Sequence, residues 1–259
     1  MIPSFHKKGR YSSYAQAAEL PHPKLEPEVF IILHRVLIRA LEILSADAQP
    51  LATMHEDPIT SALARVIENR LRLTGEVSGF CAPFFERVTR QHECDNFDGS
   101  LQRERPDLFF GIRPDDSFRT RIQSDQWGIF AECKPVDAIH SAGSDYCEGG
   151  LARFVQGKYA WAMQDALMVA YARDGRAIAS HLIPAMTSRA HLHVQEVVAP
   201  VPAGGCDSGK YHEGLHFSTH ARLFEWTDGR GPACPITIYH SWHDCENRAA
   251  PVALRTNAE

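Results

Sequence analysis

The short apolar segment at 127–133 constrains the fold most, because it is strongly apolar and yet ends in charged residues. A continuous apolar run of this length, closed by Pro135, predicts a strand buried within a sheet. Side chains alternate across a strand, so Glu132 and Lys134 share one face while Cys133 points to the other as a small core residue. A charged pair at the end of a buried strand requires a physical role, because charges are rarely buried without a partner.

A second apolar run, at 107–112, precedes this strand and is closed by Arg113-Pro114. The polar stretch between the two runs, 115–126, fits a hairpin loop. If the two strands pair as a hairpin, Asp107 at the start of the first lies opposite the end of the second. Asp107, Glu132 and Lys134 are therefore predicted to converge at one end of the sheet.

Two carboxylates beside an ammonium group suit metal-assisted phosphodiester hydrolysis. Mg²⁺ prefers oxygen ligands and takes one or two carboxylates with waters and substrate phosphate; Mn²⁺ suits the same kind of site. Asp107 and Glu132 are the predicted metal ligands. Lys134 can orient the attacking water, stabilise charge that develops on the phosphate, or act as a base if its pKa falls. Its removal is expected to reduce turnover more than metal binding.

Helices and strands are predicted in a definite order around this hairpin. Apolar residues recur at helical spacing over 28–46, and a second helix is predicted from Asp57-Pro58, with Asp57 as N-cap, to about Gly75. A strand over 79–90 then precedes the hairpin. The later predicted elements are a helix over 147–164, a buried strand over 166–172, and strands over 191–198, 215–226 and 235–240, with a Pro/Gly-rich loop over 200–209.

In these residues the chain resembles the PD-(D/E)XK, or restriction-endonuclease-like, nuclease superfamily. Pro106-Asp107 and Glu132-Cys133-Lys134 match its motif, with the two acids 132 − 107 = 25 positions apart. The order of elements from about 55 to 172, under half of the chain, also matches. The resemblance implies an α/β fold with a restriction-endonuclease-like core (α-β-β-β-α-β) and a mixed central sheet flanked by helices. It also implies a Mg²⁺- or Mn²⁺-dependent endonuclease acting on DNA, with RNA as the alternative.

The resemblance further implies two supporting residues. Members of the superfamily often take another acid from the first helix, and Glu56 is the predicted residue, with Glu68 as the alternative. Many also place a polar residue on the helix after the lysine strand, a position that Gln156 fits. Four basic residues can contact phosphates, although each also fits an ordinary solvated position: Arg119, Arg121, Arg153 and Lys158.

The sequence divides into an N-terminal lead-in and helix over 1–50, a nuclease core over 51–175, and a strand-rich C-terminal extension of the same domain over 176–259. The helix over 28–46 is predicted to pack on the core or on a partner subunit. The resemblance makes a homodimer an expectation, because one site per subunit cuts one strand. It also suggests a role in restriction or antiphage defence, with a partner protein of such a system.

Composition bears on how the chain meets nucleic acid and on the cell compartment it occupies. The net charge of −5 provides no global attraction to nucleic acid, although a local basic groove suffices for a nuclease. Seven cysteines without a CxxC pair favour the reducing cytoplasm over a disulfide framework. The first 20 residues lack the apolar stretch of a secretory signal, and the apolar stretch at 29–44 is too short and too charged to span a membrane.

Two other functions remain open from the sequence. The first is a nuclease-like domain without catalysis, used for nucleic-acid or protein binding, which has no need of a complete Asp/Glu/Lys set. The second is a metal hydrolase or a structural zinc site built on the histidine-rich C-terminal part. Its candidate ligands are His212, His216, His220, His240, His243 and Cys245.

Overall fold

The computed structural model describes residues 19–47, 49–116, 119–203, 211–226, 229 and 231–246. Within them the protein is an α/β fold on a mixed, open sheet of seven strands in the order β1-β2-β3-β4-β7-β6-β5. The strands are β1 (Phe85–Arg90), β2 (Leu108–Ile112), β3 (Gly128–Val136), β4 (Asp165–Ala172), β5 (Val194–Pro202), β6 (Tyr211–His220) and β7 (Ile236–Asp244). The α-helices are α1 (Pro27–Ala46), α2 (Glu56–Val66), α3 (Arg72–Thr74), α4 (Ala152–Val155) and α5 (Ile183–Thr187). None of these helices is long and apolar enough to cross a membrane.

The predicted hairpin is confirmed, with Leu108 of β2 opposite Ala131 of β3 in an antiparallel pair. Beyond it, β3 pairs in parallel with β4, and β4 in parallel with β7. All eight residues of β4 are buried, because helices cover both faces of this central part of the sheet. The mixed sheet expected from the sequence is therefore present. The candidate site lies where β2 begins and β3 ends.

Helix α1 packs on its own chain. Ten of its residues are buried, and the ring of Phe30 stacks on that of Tyr239 in β7 at 3.8 Å between centroids. The bounds predicted for this helix differ by one residue at its start. Its apolar face lies against the core, so that face does not supply the subunit contact that was considered for it.

The helix predicted over 147–164 is wrong at both ends. A π-helical segment, Ala142–Leu151, begins five residues earlier and continues into α4, which stops at Val155. Gly157 ends the helix with φ +69°, and a Cβ there would come within 2.5 Å of the Phe224 ring. Close packing against a distant part of the chain therefore fixes this end, which helical periodicity alone does not predict.

Two smaller predictions at the site also change. The N-cap of α2 is His55 instead of Asp57, so Glu56 becomes the first helical residue. Pro135 lies inside β3, opposite Tyr171 of β4, although it was predicted to close the strand. After α2 the helix continues through a π-helical turn, Ile67–Leu71, and ends at Gly75 as predicted.

The C-terminal strands join the sheet of the core. β7 lies beside β4 and extends to Asp244, and β6 ends at His220, where the sequence predicted a strand to 226. β5 begins at Val194 and reaches Pro202, which overlaps the predicted loop. The rest of that loop over 204–209, the first 18 residues and the residues from 247 onward lie outside the described part.

Candidate active site

Three carboxylates from separate parts of the chain meet the ammonium group of Lys134 at the end of the β2–β3 hairpin. Lys134 Nζ lies 2.8 Å from Glu56 Oε1, 3.2 Å from Glu132 Oε1 and 3.6 Å from Asp107 Oδ2. Asp107 precedes β2, Glu132 and Lys134 project from one face of β3, and Glu56 begins α2. The three predicted residues thus converge, and of the two candidate helix acids the structure brings Glu56 to them.

A backbone N–H and two neighbouring side chains hold the carboxylates of Asp107 and Glu132 in place. The backbone N–H of Cys133 donates to Asp107 Oδ2 at 2.7 Å. The hydroxyl of Tyr159 donates to Glu132 Oε2 at 2.6 Å, and Arg153 Nη1 donates to Glu132 Oε1 at 3.1 Å. Both carboxylate oxygens of Glu132 therefore accept hydrogen bonds, and the side chain is only 1% exposed.

Burial, together with the charge of Asp107, raises the pKa of Glu132 to about 7. Burial also raises the pKa of Glu56. Burial by itself lowers the pKa of Lys134, but the three surrounding carboxylates outweigh it and raise that pKa above its ordinary value. Lys134 is therefore a cation at neutral pH in this arrangement, which favours an electrostatic or orienting role over that of a base.

The cleft at this site has a volume of about 850 Å³ and lies between α2, the end of β3 and the segment 137–153. Lys134, Arg153, Glu56 and Asp57 line it. Because other acidic residues line it as well, the cleft provides no broad basic surface. The cationic side chains that line it are Lys134, Arg153 and Arg173.

Other sequence-predicted residues lie away from this cleft. Gln156 is exposed at the C-cap of α4, and Lys158 follows it in the turn; neither lines the cleft. Arg119 and Arg121 lie in the loop that joins β2 to β3, at the end of the hairpin opposite Lys134. Arg121 pairs there with Glu19.

Glu68, the alternative helix acid, is engaged elsewhere. Its carboxylate accepts hydrogen bonds from Arg72 at 2.6 and 2.9 Å and from the backbone N–H of Val88 at 2.9 Å. These bonds tie the end of the second helix to β1. Glu68 is therefore a structural residue.

Tyr159 is a site residue that was not singled out from the sequence. It is fully buried, and it lies beyond the end of α4. Its signal was its position in Arg153–Tyr159, three residues after the glutamine that was singled out. Its role at the site becomes apparent only when the end of α4 at Val155 is known, because Tyr159 lies beyond that end.

Two of the C-terminal histidines, His220 and His240, belong to one buried hydrogen-bonded chain. Ser218 Oγ lies 2.8 Å from Nε2 of both His220 and His240, and His240 Nδ1 lies 3.0 Å from the Tyr146 hydroxyl. His220 Nδ1 lies 2.7 Å from the carbonyl of Leu192, so it must carry the proton. Both ring nitrogens of His220 and of His240 are engaged in these hydrogen bonds, which weakens the case for a hydrolase that uses these two histidines as metal ligands.

Among the described residues, no group of three or more His, Cys, Asp or Glu side chains is arranged to hold a metal ion. At the candidate site the carboxylates are centred on the Lys134 ammonium instead. The donor set nevertheless fits a hard divalent cation, because it consists of carboxylate oxygens and because the charge of Asp107 disfavours ionisation of Glu132. Asp107 and Glu132 would hold such an ion, with Glu56 as the third carboxylate.

The fold and site define an α/β protein with a partly buried Asp/Glu/Lys cluster at the end of a hairpin. Comparison of the chain with protein-family models, with curated proteins and with solved structures found no match.

Proposed function

We propose that this protein is a metal-dependent nuclease of the PD-(D/E)XK type that hydrolyses phosphodiester bonds of DNA, with RNA as the alternative substrate. One observation carries the proposal: carboxylates from α2, from the residue before β2 and from β3 all lie within 3.6 Å of Lys134 Nζ. Of the residues in this cluster, only Glu132 and Lys134 lie close together in the sequence. A cytoplasmic role in restriction or antiphage defence, in a homodimer or with a partner protein, would extend this proposal.

The cluster has the charges that this reaction needs. A bound Mg²⁺ or Mn²⁺ would acidify a water and neutralise charge on the phosphate. Asp107 and Glu132 are held for that purpose by the Cys133 N–H and the Tyr159 hydroxyl. Lys134 stays protonated and presents positive charge to a phosphate oxygen in a site where water is largely excluded, which strengthens that interaction.

Cleavage of purified plasmid and single-stranded DNA or RNA in Mg²⁺, Mn²⁺ or EDTA tests the proposal. Metal-dependent cleavage should be lost in Asp107→Ala and in Lys134→Ala. Asp116→Ala is a matched control, because that carboxylate is 97% exposed in the loop at the other end of the hairpin. Cleavage that survives both substitutions would refute the assignment of Asp107 and Lys134 to the active site. Metal-dependent nucleic-acid binding without cleavage by the unmodified protein would favour a non-catalytic domain.

A further inference from the structure

The first turn of α2, which carries Glu56 into the cluster, begins without a side-chain cap. The N-cap residue His55 makes no side-chain hydrogen bond to the helix. Backbone hydrogen bonds in the connection before it, residues 49–55, are local: the N–H groups of Thr53 and Met54 both donate to the carbonyl of Pro50. Such bonds shape a turn but do not place it on the sheet. The place of Glu56 in the cluster therefore depends on what attaches this connection to the rest of the fold.

A buried arginine attaches the connection to the end of β4. Arg173 directly follows β4 and is 9% exposed. Its Nη2 donates to the backbone carbonyls of Leu51 and Met54, at 2.8 and 2.5 Å. Among the described residues, no other side chain from outside the connection hydrogen-bonds to it. Met54 lies two residues before Glu56, so this bond helps to set where the helix starts.

The same guanidinium reaches the segment that carries the lysine of the cluster. Arg173 Nη1 donates to Asp137 Oδ2 at 3.3 Å, and the other carboxylate oxygen of Asp137 accepts from the backbone N–H of His140 at 2.7 Å. Asp137 lies three residues after Lys134, directly beyond β3. One side chain therefore joins the turn after β3 to the start of α2. Between these two segments, Lys134 Nζ meets Glu56 Oε1 at 2.8 Å.

A second side chain of β4 holds the first turn of α2. The Tyr171 hydroxyl lies 2.9 Å from Thr60 Oγ1, which in turn donates to the backbone carbonyl of Glu56 at 2.9 Å. Tyr171 and Arg173 are two positions apart, so alternation along the strand puts both on the side of α2. Tyr171 acts one turn into the helix, whereas Arg173 fixes the residues immediately before it. The end of β4 is thus the reference against which Glu56 is placed.

We propose that Arg173 is a positioning residue for Glu56: it holds the start of α2 at the distance from β3 at which this carboxylate joins the two strand carboxylates. The inference rests on the proposed function only in taking the three carboxylates as a site for a divalent cation, and it does not require hydrolysis. The planar guanidinium has five donors in a fixed fork, so it can bond to two carbonyls and a carboxylate together. A lysine ammonium is a compact charge on a flexible stem and cannot replace it there.

A double-mutant cycle on Mn²⁺ affinity, measured from the electron paramagnetic resonance signal of free Mn²⁺, tests the coupling. Its members are the unmodified protein, Glu56→Gln, Arg173→Lys and the double variant. Each single substitution should weaken Mn²⁺ binding about tenfold, as loss of a group that orients a ligand typically does. The double variant should bind at most about twofold more weakly than Arg173→Lys, because a displaced Glu56 contributes little. An equal loss from Glu56→Gln in both backgrounds, or unchanged affinity in Arg173→Lys, would overturn the inference.

Arg222→Lys is the matched control. Arg222 is 7% exposed and also donates to two backbone carbonyls, those of Trp161 and Met163, but it lies near the start of β4 instead of its end. This substitution should leave Mn²⁺ affinity unchanged, and Glu56→Gln should have its full effect beside it. A weakening as large as that in Arg173→Lys would mean that loss of any buried arginine loosens the site, and would overturn a specific role for Arg173.

A second variant and a metal-free cycle guard against misfolding. Asp137→Asn weakens only one of the three bonds of Arg173, so it should show the same non-additivity with Glu56→Gln even if Arg173→Lys does not fold. Urea unfolding in EDTA gives a cycle without metal. The change of midpoint caused by Glu56→Gln should be smaller in Arg173→Lys, or in Asp137→Asn, because Glu56 then no longer meets Lys134. Equal changes of midpoint would overturn the positioning role.

The positioning role and the nuclease activity can fail separately. Non-additive Mn²⁺ binding without cleavage of DNA or RNA would remove the nuclease and keep the role of Arg173. Metal-dependent cleavage together with additive losses of Mn²⁺ affinity would keep the nuclease and remove that role. If the unmodified protein binds no Mn²⁺, the metal-dependent nuclease is refuted, and the urea cycle alone decides whether Arg173 positions Glu56.

Discussion

The hydrogen bond from Tyr159 to Glu132 gives a sharp prediction about stability and pH. Tyr159→Phe removes one hydroxyl from a fully buried ring and leaves the ring in place. The bond is 2.6 Å long and reaches a carboxylate that is 1% exposed, so its loss above pH 7 should cost about 1.5–3 kcal/mol. For a chain of this length, each kcal/mol lowers the melting temperature by roughly 2–4 °C.

The cost should depend on pH, because burial and the charge of Asp107 raise the pKa of Glu132 to about 7 from 4.5. The folded protein holds this proton more tightly than the unfolded chain. Stability from this group is therefore full below about pH 4.5 and is lost as pH rises through about 7. At pH 5 Glu132 is protonated, and Tyr159→Phe should cost only about 0.5–1.5 kcal/mol, the contribution of a neutral hydrogen bond.

Urea unfolding in EDTA at pH 5 and pH 8.5 measures both values. Tyr146→Phe is the matched control, since its hydroxyl is equally buried and bonds to His240. Burial lowers the pKa of His240 well below its ordinary value, so this partner stays neutral across the range. The penalty for Tyr146→Phe should be constant with pH. A penalty for Tyr159→Phe that is equally constant would refute the ionisation assigned to Glu132.

Three further predictions concern the site and the sheet. Lys134→Ala should abolish turnover while Mn²⁺ binding, measured by calorimetry, stays equal or tightens, because the competing ammonium is gone; weaker binding would contradict its placement. Burial lowers the pKa of His220 to about 4 and that of His240 well below 6.5, so their stability is full above pH 6.5 and is lost as pH falls toward 4. The urea midpoint is measured at pH 7 and pH 5 for the unmodified protein and for a His220→Asn/His240→Asn double variant, which shows the contribution of all other groups. An equal change of midpoint in the two proteins would contradict this prediction. Gly214→Ala should destabilise by about 1–3 kcal/mol in urea, because φ is +72° and the new Cβ would lie 2.6 Å from a backbone oxygen of β7. Gly75→Ala, at φ +65° with nothing within 4 Å, should cost less, and equal costs would refute the steric part.

The strand residues of the site could be predicted because their geometry is local. Alternation along β3 places Glu132 and Lys134 on one face whatever the rest of the fold does. The antiparallel pairing of β2 with β3 then brings Asp107 to them. The position of Glu56 depends on one further fact, the residue at which α2 begins, and the N-cap, His55, lies two positions before the predicted Asp57.

The rest of the site depends on contacts between distant segments. Tyr159 reaches Glu132 only because the helix ends before it, and that end is fixed where Gly157 meets the ring of Phe224. Likewise, nothing local to β7 indicates that it pairs with β4. Periodicity predicts that a segment is a strand, but partners are chosen by packing across the whole sheet.

The position of β7 beside β4 bears on the order in which this protein acquires its structure during synthesis. β4 ends at Ala172 and its second neighbour begins at Ile236, so 236 − 172 = 64 positions separate them. Until that late segment leaves the ribosome, the fully buried strand β4 has one open edge, and the backbone groups on that edge lack partners. A chain truncated after β5 should therefore aggregate, although every proposed catalytic residue is already present in it. The last strand of the sheet completes the support for a site whose residues were all made much earlier.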